Sequence, residues 1–170
     1  MRSTGSPGGE RAILVEMGDY RLVRDPERLT CVGLGSCVAI VLHDSQGELG
    51  AVAHVMLPFA DGNKSRIFLP GKFADSAVQI MTKEMERLGA PRRRIEAKLF
   101  GGANMFPSIP SSAPDSIGDR NVRVAKHELK KWGIRIVAED TGGHVGRTIV
   151  FDPWDGSVRV RHAGGVERIH

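Results

Sequence analysis

The chain is poor in cysteine and aromatic residues, and it has no apolar run long enough to cross a bilayer. Two cysteines, Cys31 and Cys37, stand among 170 residues. Side chains six apart on an extended segment lie roughly 20 Å from each other, so only a tight fold at Gly33 and Gly35 would pair them, and no disulfide is expected. A metal site built from Cys31, Cys37, His43 and His54 has neither a CxxC nor an HxxxH spacing behind it, and none is expected. Aromatics make up 5% of the chain, and no RNP, zinc-finger or helix-turn-helix pattern is present. The net charge of +4, with clusters at Arg92-Arg93-Arg94 and from Lys126 to Lys131, therefore reads as solvated helix surface and not as a nucleic-acid groove. The first ten residues are rich in Gly, Ser and Pro without an apolar h-region, which predicts a mobile arm over 1–10 and no signal peptide. A cytoplasmic protein without membrane insertion is the resulting expectation.

What is present centres on one turn. Gly33-Leu34-Gly35-Ser36-Cys37 leads into the apolar run 37–42, and a second apolar run, 49–57, carries His54. Glycines free backbone N–H groups and let a reacting carbonyl approach the main chain. Asp44-Ser45-Gln46-Gly47 between the runs is a turn signal, which predicts a hairpin. With Ser45-Gln46 as a two-residue loop, Cys37 faces His54 directly, at a Cβ separation of about 5 Å. A type I turn with Gly47 in a G1 bulge slips the pairing by one and sends the two side chains to opposite faces. Both runs are apolar on both faces, so periodicity leaves the two registers open. Taken alone, one cysteine and one histidine on apolar strands also fit a buried structural pair.

At 170 residues the chain is long enough to bury roughly 70% of its unfolded surface around one core. A single domain is expected over 11–165, with a tail at 166–170. Strands are predicted over 12–17, 20–23, 30–34, 37–42, 49–57, 95–100, 134–138, 147–151 and 157–161. One helix is predicted over 72–88, its stripe formed by Ala74, Ala77, Val78, Met81, Met85 and Leu88, with Gly89 closing it and Pro91 preventing its continuation. A second, over 118–132, buries Val122, Ala125, Leu129 and Trp132 and ends at Gly133. Asp61-Gly62-Asn63-Lys64 marks a turn within a loop over 58–71. Strands apolar on both sides and two helices make a layered α/β sandwich with mixed strands. Gly101-Gly102-Ala103-Asn104-Met105-Phe106 follows a strand but lacks the Walker lysine and the GxGxxG spacing, which argues against nucleotide binding. His144, after Thr141-Gly142-Gly143, is either a polar group of a site or an exposed turn histidine.

Five ordered segments carry a resemblance that covers nearly the whole chain. They are 30–39 (TCVGLGSCVA), 50–58 (GAVAHVMLP), 101–106 (GGANMF), 117–121 (IGDRN) and 138–143 (AEDTGG). Together they resemble the CheD family of chemoreceptor glutamine deamidases, whose Cys–His core is in turn similar to that of deamidating bacterial toxins. The resemblance implies Cys37 as nucleophile and His54 as base, with oxyanion support from the backbone around Ser36 and Cys37. In the family such glycine pairs lie near the active site, so Gly101 and Gly102 are either substrate-contact positions or simply a tight turn, and the apolar pair Met105-Phe106 is either core or a receptor-contact surface. The family's histidine-orienting threonine sits six residues before the nucleophile; here that position is Cys31, and Thr30 stands one place earlier. Either Cys31 substitutes for it, or a bulge turns Thr30 inward, or the third group lies elsewhere. Thiol chemistry then predicts a thiolate–imidazolium pair that needs no cofactor and reacts below the free-cysteine range near pKa 8.5. The implied partners are chemoreceptor cytoplasmic helices as substrate and a CheC-type phosphatase. A binding module with decayed catalysis is the alternative, motivated by Cys31.

Overall fold

The computed structural model describes residues 12–60, 69–109 and 115–170. The expected mobile arm over 1–10 and the turn at 61–64 lie outside the described residues.

Among the described residues ten strands form two five-stranded mixed sheets. The outer sheet orders β1 (Ala12–Leu14), β3 (Arg28–Leu34), β8 (Arg147–Phe151), β9 (Val158–His162) and β10 (Glu167–Ile169). The middle sheet orders β2 (Tyr20–Arg24), β5 (Leu49–Val55), β4 (Val38–Asp44), β6 (Glu96–Gly101) and β7 (Arg135–Thr141). Two helices, α1 (Ala74–Arg87) and α2 (Ile117–Lys131), cover the face of the middle sheet turned away from the outer one. The layered α/β sandwich expected from the sequence is the observed architecture. Every residue of β4 and β5 is buried, because apolar layers lie on both sides of them, and this is why neither strand alternates in sequence.

Two cores result. Ala51, Ala53 and Val55 of β5 pack toward the helices, and Val52 packs toward the outer sheet. Strand alternation therefore places His54 on the side of Val52, between the sheets. At Gly50 the sheets approach so closely that a Cβ would stand 2.2 Å from Cε1 of the buried Phe151. Gly50→Ala is expected to cost about 1–3 kcal/mol through overpacking, read as a lower thermal midpoint; an unchanged midpoint would show that this contact yields.

The helices end where glycine dictates. Gly89 and Gly133 adopt positive φ, and Ala90 and Ile134 donate back to the carbonyls of Met85 and Leu129, which closes each final turn. The α2 start is a reciprocal capping box between Ser116 and Asp119. Its buried face departs from the expected stripe. Gly118, Asn121, Val124, Ala125, Glu128 and Leu129 are buried, whereas Val122 and Trp132 are only partly so, and Leu88, which falls just past the end of α1, is exposed.

Three further expectations are corrected. The tail at 166–170 contains β10, which pairs antiparallel with β9. The arginines at 92–94 are in part structural: Arg94 makes a two-pronged contact with buried Asp44, and Arg92 lies over the Trp132 ring while pairing with Glu86. The hairpin register follows neither expected alternative. Asp44 pairs with Leu49 and Ala39 with His54, so the loop has four residues and Cys37 is not directly opposite His54. Asp44 causes this: its carboxylate accepts from the Gln46 N–H and its carbonyl from the Gly47 N–H, and Glu48 takes the positive φ of 47° that was expected at Gly47.

One polar cluster crosses the interface between the sheets. Arg147 Nε of β8 donates to Asp140 Oδ1 of β7 at 3.0 Å, and His162 Nε2 of β9 meets Asp140 Oδ2 at 2.7 Å. Arg147 also donates to the carbonyls of Val145 and Gly142.

Candidate active site

The chain leaves the outer sheet after Leu34 and enters the middle sheet at Val38. Three consecutive carbonyls of this crossover are tied down. Ala103 N–H donates to Gly35 O at 2.8 Å, Asn121 Nδ2 to Ser36 O at 3.0 Å, and Gly102 N–H to Cys37 O at 2.8 Å. Such close approach explains Gly101 and Gly102. A Cβ on Gly101 would lie 2.3 Å from the Cys37 carbonyl oxygen, and one on Gly102 would lie 2.4 Å from Val122 Cγ2. Both glycines are buried in this backbone clasp. Met105 and Phe106 are instead exposed, 42% and 70%. They line a cleft of about 210 Å³ that Ser36, Asn104 and the start of α2 also border, and Met105 packs beside Gly35.

His54 comes to the same region from β5. Ala39 is its direct partner, so Cys37, two residues before Ala39, is its diagonal neighbour. Diagonal Cβ atoms on one face lie about 7–8 Å apart, within reach of a cysteine and an imidazole that lean toward each other. Cys37 packs against the apolar cluster between the sheets, on the side His54 faces. His54 Nδ1 lies 3.3 Å from the Val15 carbonyl. A carbonyl only accepts, so the neutral ring carries its proton on Nδ1 and presents a bare Nε2. That Nε2 is buried with no hydrogen-bond partner.

Burial sets the resting charge state. It pushes the Cys37 thiol up, opposed by the residue's own backbone N–H, and it holds the His54 imidazole below its ordinary value despite the Val15 contact. Both directions favour an uncharged thiol and an uncharged imidazole over the ion pair expected from the sequence. The arrangement suits a general base that takes the thiol proton as the sulfur attacks.

A family profile described as CheD chemotactic sensory transduction matches residues 56–162. The chain belongs to the CheD family. It is 46% identical over 165 residues to a probable chemoreceptor glutamine deamidase CheD of Pyrococcus abyssi, covering 94% of this chain and 99% of that one. It is 40% identical over 156 residues to the chemoreceptor glutamine deamidase CheD of Thermotoga maritima, with 92% and 95% covered. The Archaeoglobus fulgidus relative, also a probable chemoreceptor glutamine deamidase CheD, is 44% identical over 155 residues, with 91% and 96% covered.

Within this CheD fold neither candidate for the third group hydrogen-bonds to the His54 ring with its side chain. Thr30 points its hydroxyl at Ile149 O, 2.7 Å away on the neighbouring strand. Cys31 is fully buried in the cluster between the sheets, and desolvation raises its thiol pKa strongly, with the neighbouring Cys37 acting in the same direction whenever it ionises. Thr30 nonetheless reaches the imidazole through the main chain: its carbonyl accepts the Val15 N–H at 2.8 Å, and the Val15 carbonyl meets His54. His144 Nδ1 lies 2.9 Å from Asn104 O, at the exposed edge of the cleft. Sequence reasoning missed Val15, whose role is purely backbone, and Asn121, whose side chain stands where a helix stripe would be apolar. Among the described residues no group of three or more His, Cys, Asp and Glu side chains is placed to hold a metal ion, and no helix is long and apolar enough to cross a membrane.

Proposed function

We propose that this CheD-family chain is a protein-glutamine deamidase that converts glutamines of chemoreceptor cytoplasmic domains to glutamate. The observation that carries the reading is the buried, unpartnered His54 Nε2 on the face shared with Cys37. His54 Nε2 accepts the Cys37 proton as Sγ bonds to the carboxamide carbon, and backbone N–H groups at Ser36 and Cys37 receive the oxyanion. The imidazolium then protonates the leaving nitrogen, the C–N bond breaks and ammonia departs. Water, deprotonated by His54, cleaves the thioester and regenerates the thiol. Glutamine and water give glutamate and ammonia, and the steps balance without a cofactor. Exposed Met105 and Phe106 offer the apolar contact for a receptor helix beside the nucleophile. The same reading takes the protein to be cytoplasmic and a partner of a CheC-type phosphatase. Mass spectrometry of purified receptor cytoplasmic domains, incubated with and without the protein, is expected to show Gln-to-Glu conversion; unchanged peptides would sink the proposal.

The pH dependence follows from the tautomer. His54 must be neutral to take the proton, and burial lowers its pKa from the ordinary value of 6.5. The acid limb of kcat/KM is therefore expected below pH 6.5, with full activity above it. Activity that falls on the alkaline side as an imidazolium loses its proton would instead mean that an imidazolium–thiolate pair already exists in the free enzyme.

A further inference from the structure

We infer that Asn121 is a positioning residue that aims the Cys37 N–H at the oxyanion, an assignment that rests on the deamidase reading. Asn121 lies on α2, fully buried, and uses its amide on two acceptors: Ser36 O and Met56 O, each at 3.0 Å. The ladder that pairs Val38 with Val55 brings Cys37 opposite Met56 at its next step. One side chain thus staples the carbonyl before the nucleophile to the strand end two residues beyond the base. Both acceptors are carbonyls, which fixes the amide's orientation, because only the NH₂ end can serve them.

The consequence runs through peptide geometry. In a trans peptide the C=O and the following N–H point in opposite directions. Holding Ser36 O toward α2 therefore turns the Cys37 N–H away from the helix, to the side of its own sulfur, where the same N–H already favours the thiolate. The tie from Ala103 to Gly35 O does the same for the Ser36 N–H. Backbone ladders hold the carbonyls of Gly35 and Cys37 from glycine-rich main chain, but Ser36 O depends on the Asn121 side chain alone among the hydrogen bonds described. Asn121 Oδ1 is buried with no protein partner. A leucine in its place would remove that orphan but take the side-chain donor away from the Ser36 and Met56 carbonyls, so the donors, and not the volume, account for an amide here.

The test compares Asn121→Asp, which keeps the shape and loses both donors, with Asn121→Ser, which keeps one donor. Each is assayed for deamidation kinetics, for iodoacetamide alkylation of Cys37 and for thermal midpoint. Alkylation needs the thiol and His54 but builds no oxyanion. The expected result for Asn121→Asp is a fall in kcat of about 10²–10³ with KM and alkylation within about threefold of wild type. Asn121→Ser is expected between the two, and it carries the test if the aspartate variant does not fold. A parallel loss of alkylation and deamidation in folded protein would make Asn121 a general scaffold residue and overturn the assignment, as would kcat within about twofold of wild type in both variants. Wild-type protein without deamidase activity would instead remove the underlying reading, so the two failures are told apart.

Discussion

Cys37→Ala is expected to abolish deamidation outright while leaving the fold in place. The sulfur forms the bond to substrate carbon, and no other thiol can replace it: Cys31 is fully buried with its ionised form strongly disfavoured. Cys37 itself is only partly buried, at the rim of the cluster between the sheets, so truncation removes little packing, about 1 kcal/mol or less. The check is a pair of measurements on one preparation, receptor-peptide mass spectrometry and a thermal melt. Retained conversion would exclude the thiol mechanism. Lost conversion with a collapsed melt would mark Cys37 as a structural cysteine.

Asp140→Ala is expected to have the largest effect on stability, about 3–5 kcal/mol, because it leaves Arg147, 5% exposed, charged and unpaired between the sheets. Burial alone would raise the Asp140 pKa, but the hydrogen bonds from His162 and Arg147 outweigh it and hold the carboxyl below its ordinary range. A lowered folded pKa means that the stabilisation is complete above the unfolded value near about 3.9 and fades as pH falls through the folded value. Wild type should therefore lose part of its urea stability below about pH 4, and the alanine variant should lack that component. A variant that melts like wild type at neutral pH would show that Arg147 finds other partners, such as the Val145 and Gly142 carbonyls it already touches.

Much of this was legible in the sequence, and the gaps have physical causes. Gly89, Gly133 and the apolar stripe of α1 announced the helices, since left-handed closure and helical periodicity are local properties. The register of the β4–β5 hairpin was not local. With both faces of both strands buried, no exposed residue marked a side, and the choice fell to the Asp44 side chain folded over its own turn. Thr30 and Cys31 illustrate the same limit: their opposite faces were readable, but the relay through the Val15 main chain leaves no trace in residue identity. Asn121 did leave one. An amide in line with Gly118, Ala125 and Glu128 on a buried helix face requires a partner for its polar atoms, and the carbonyl beside the nucleophile is that partner.

The contact between Val15 and His54 has a wider consequence. Cys37 and His54 ride on the middle sheet, but the carbonyl that decides which ring nitrogen holds the proton follows β1 of the outer sheet. The middle sheet and its helices can bring sulfur and imidazole together without being able to tell the imidazole which end to offer. Reactivity is therefore a property of two layers in mutual alignment, and a small slip of one layer across the other would silence the enzyme while every strand and helix remained intact.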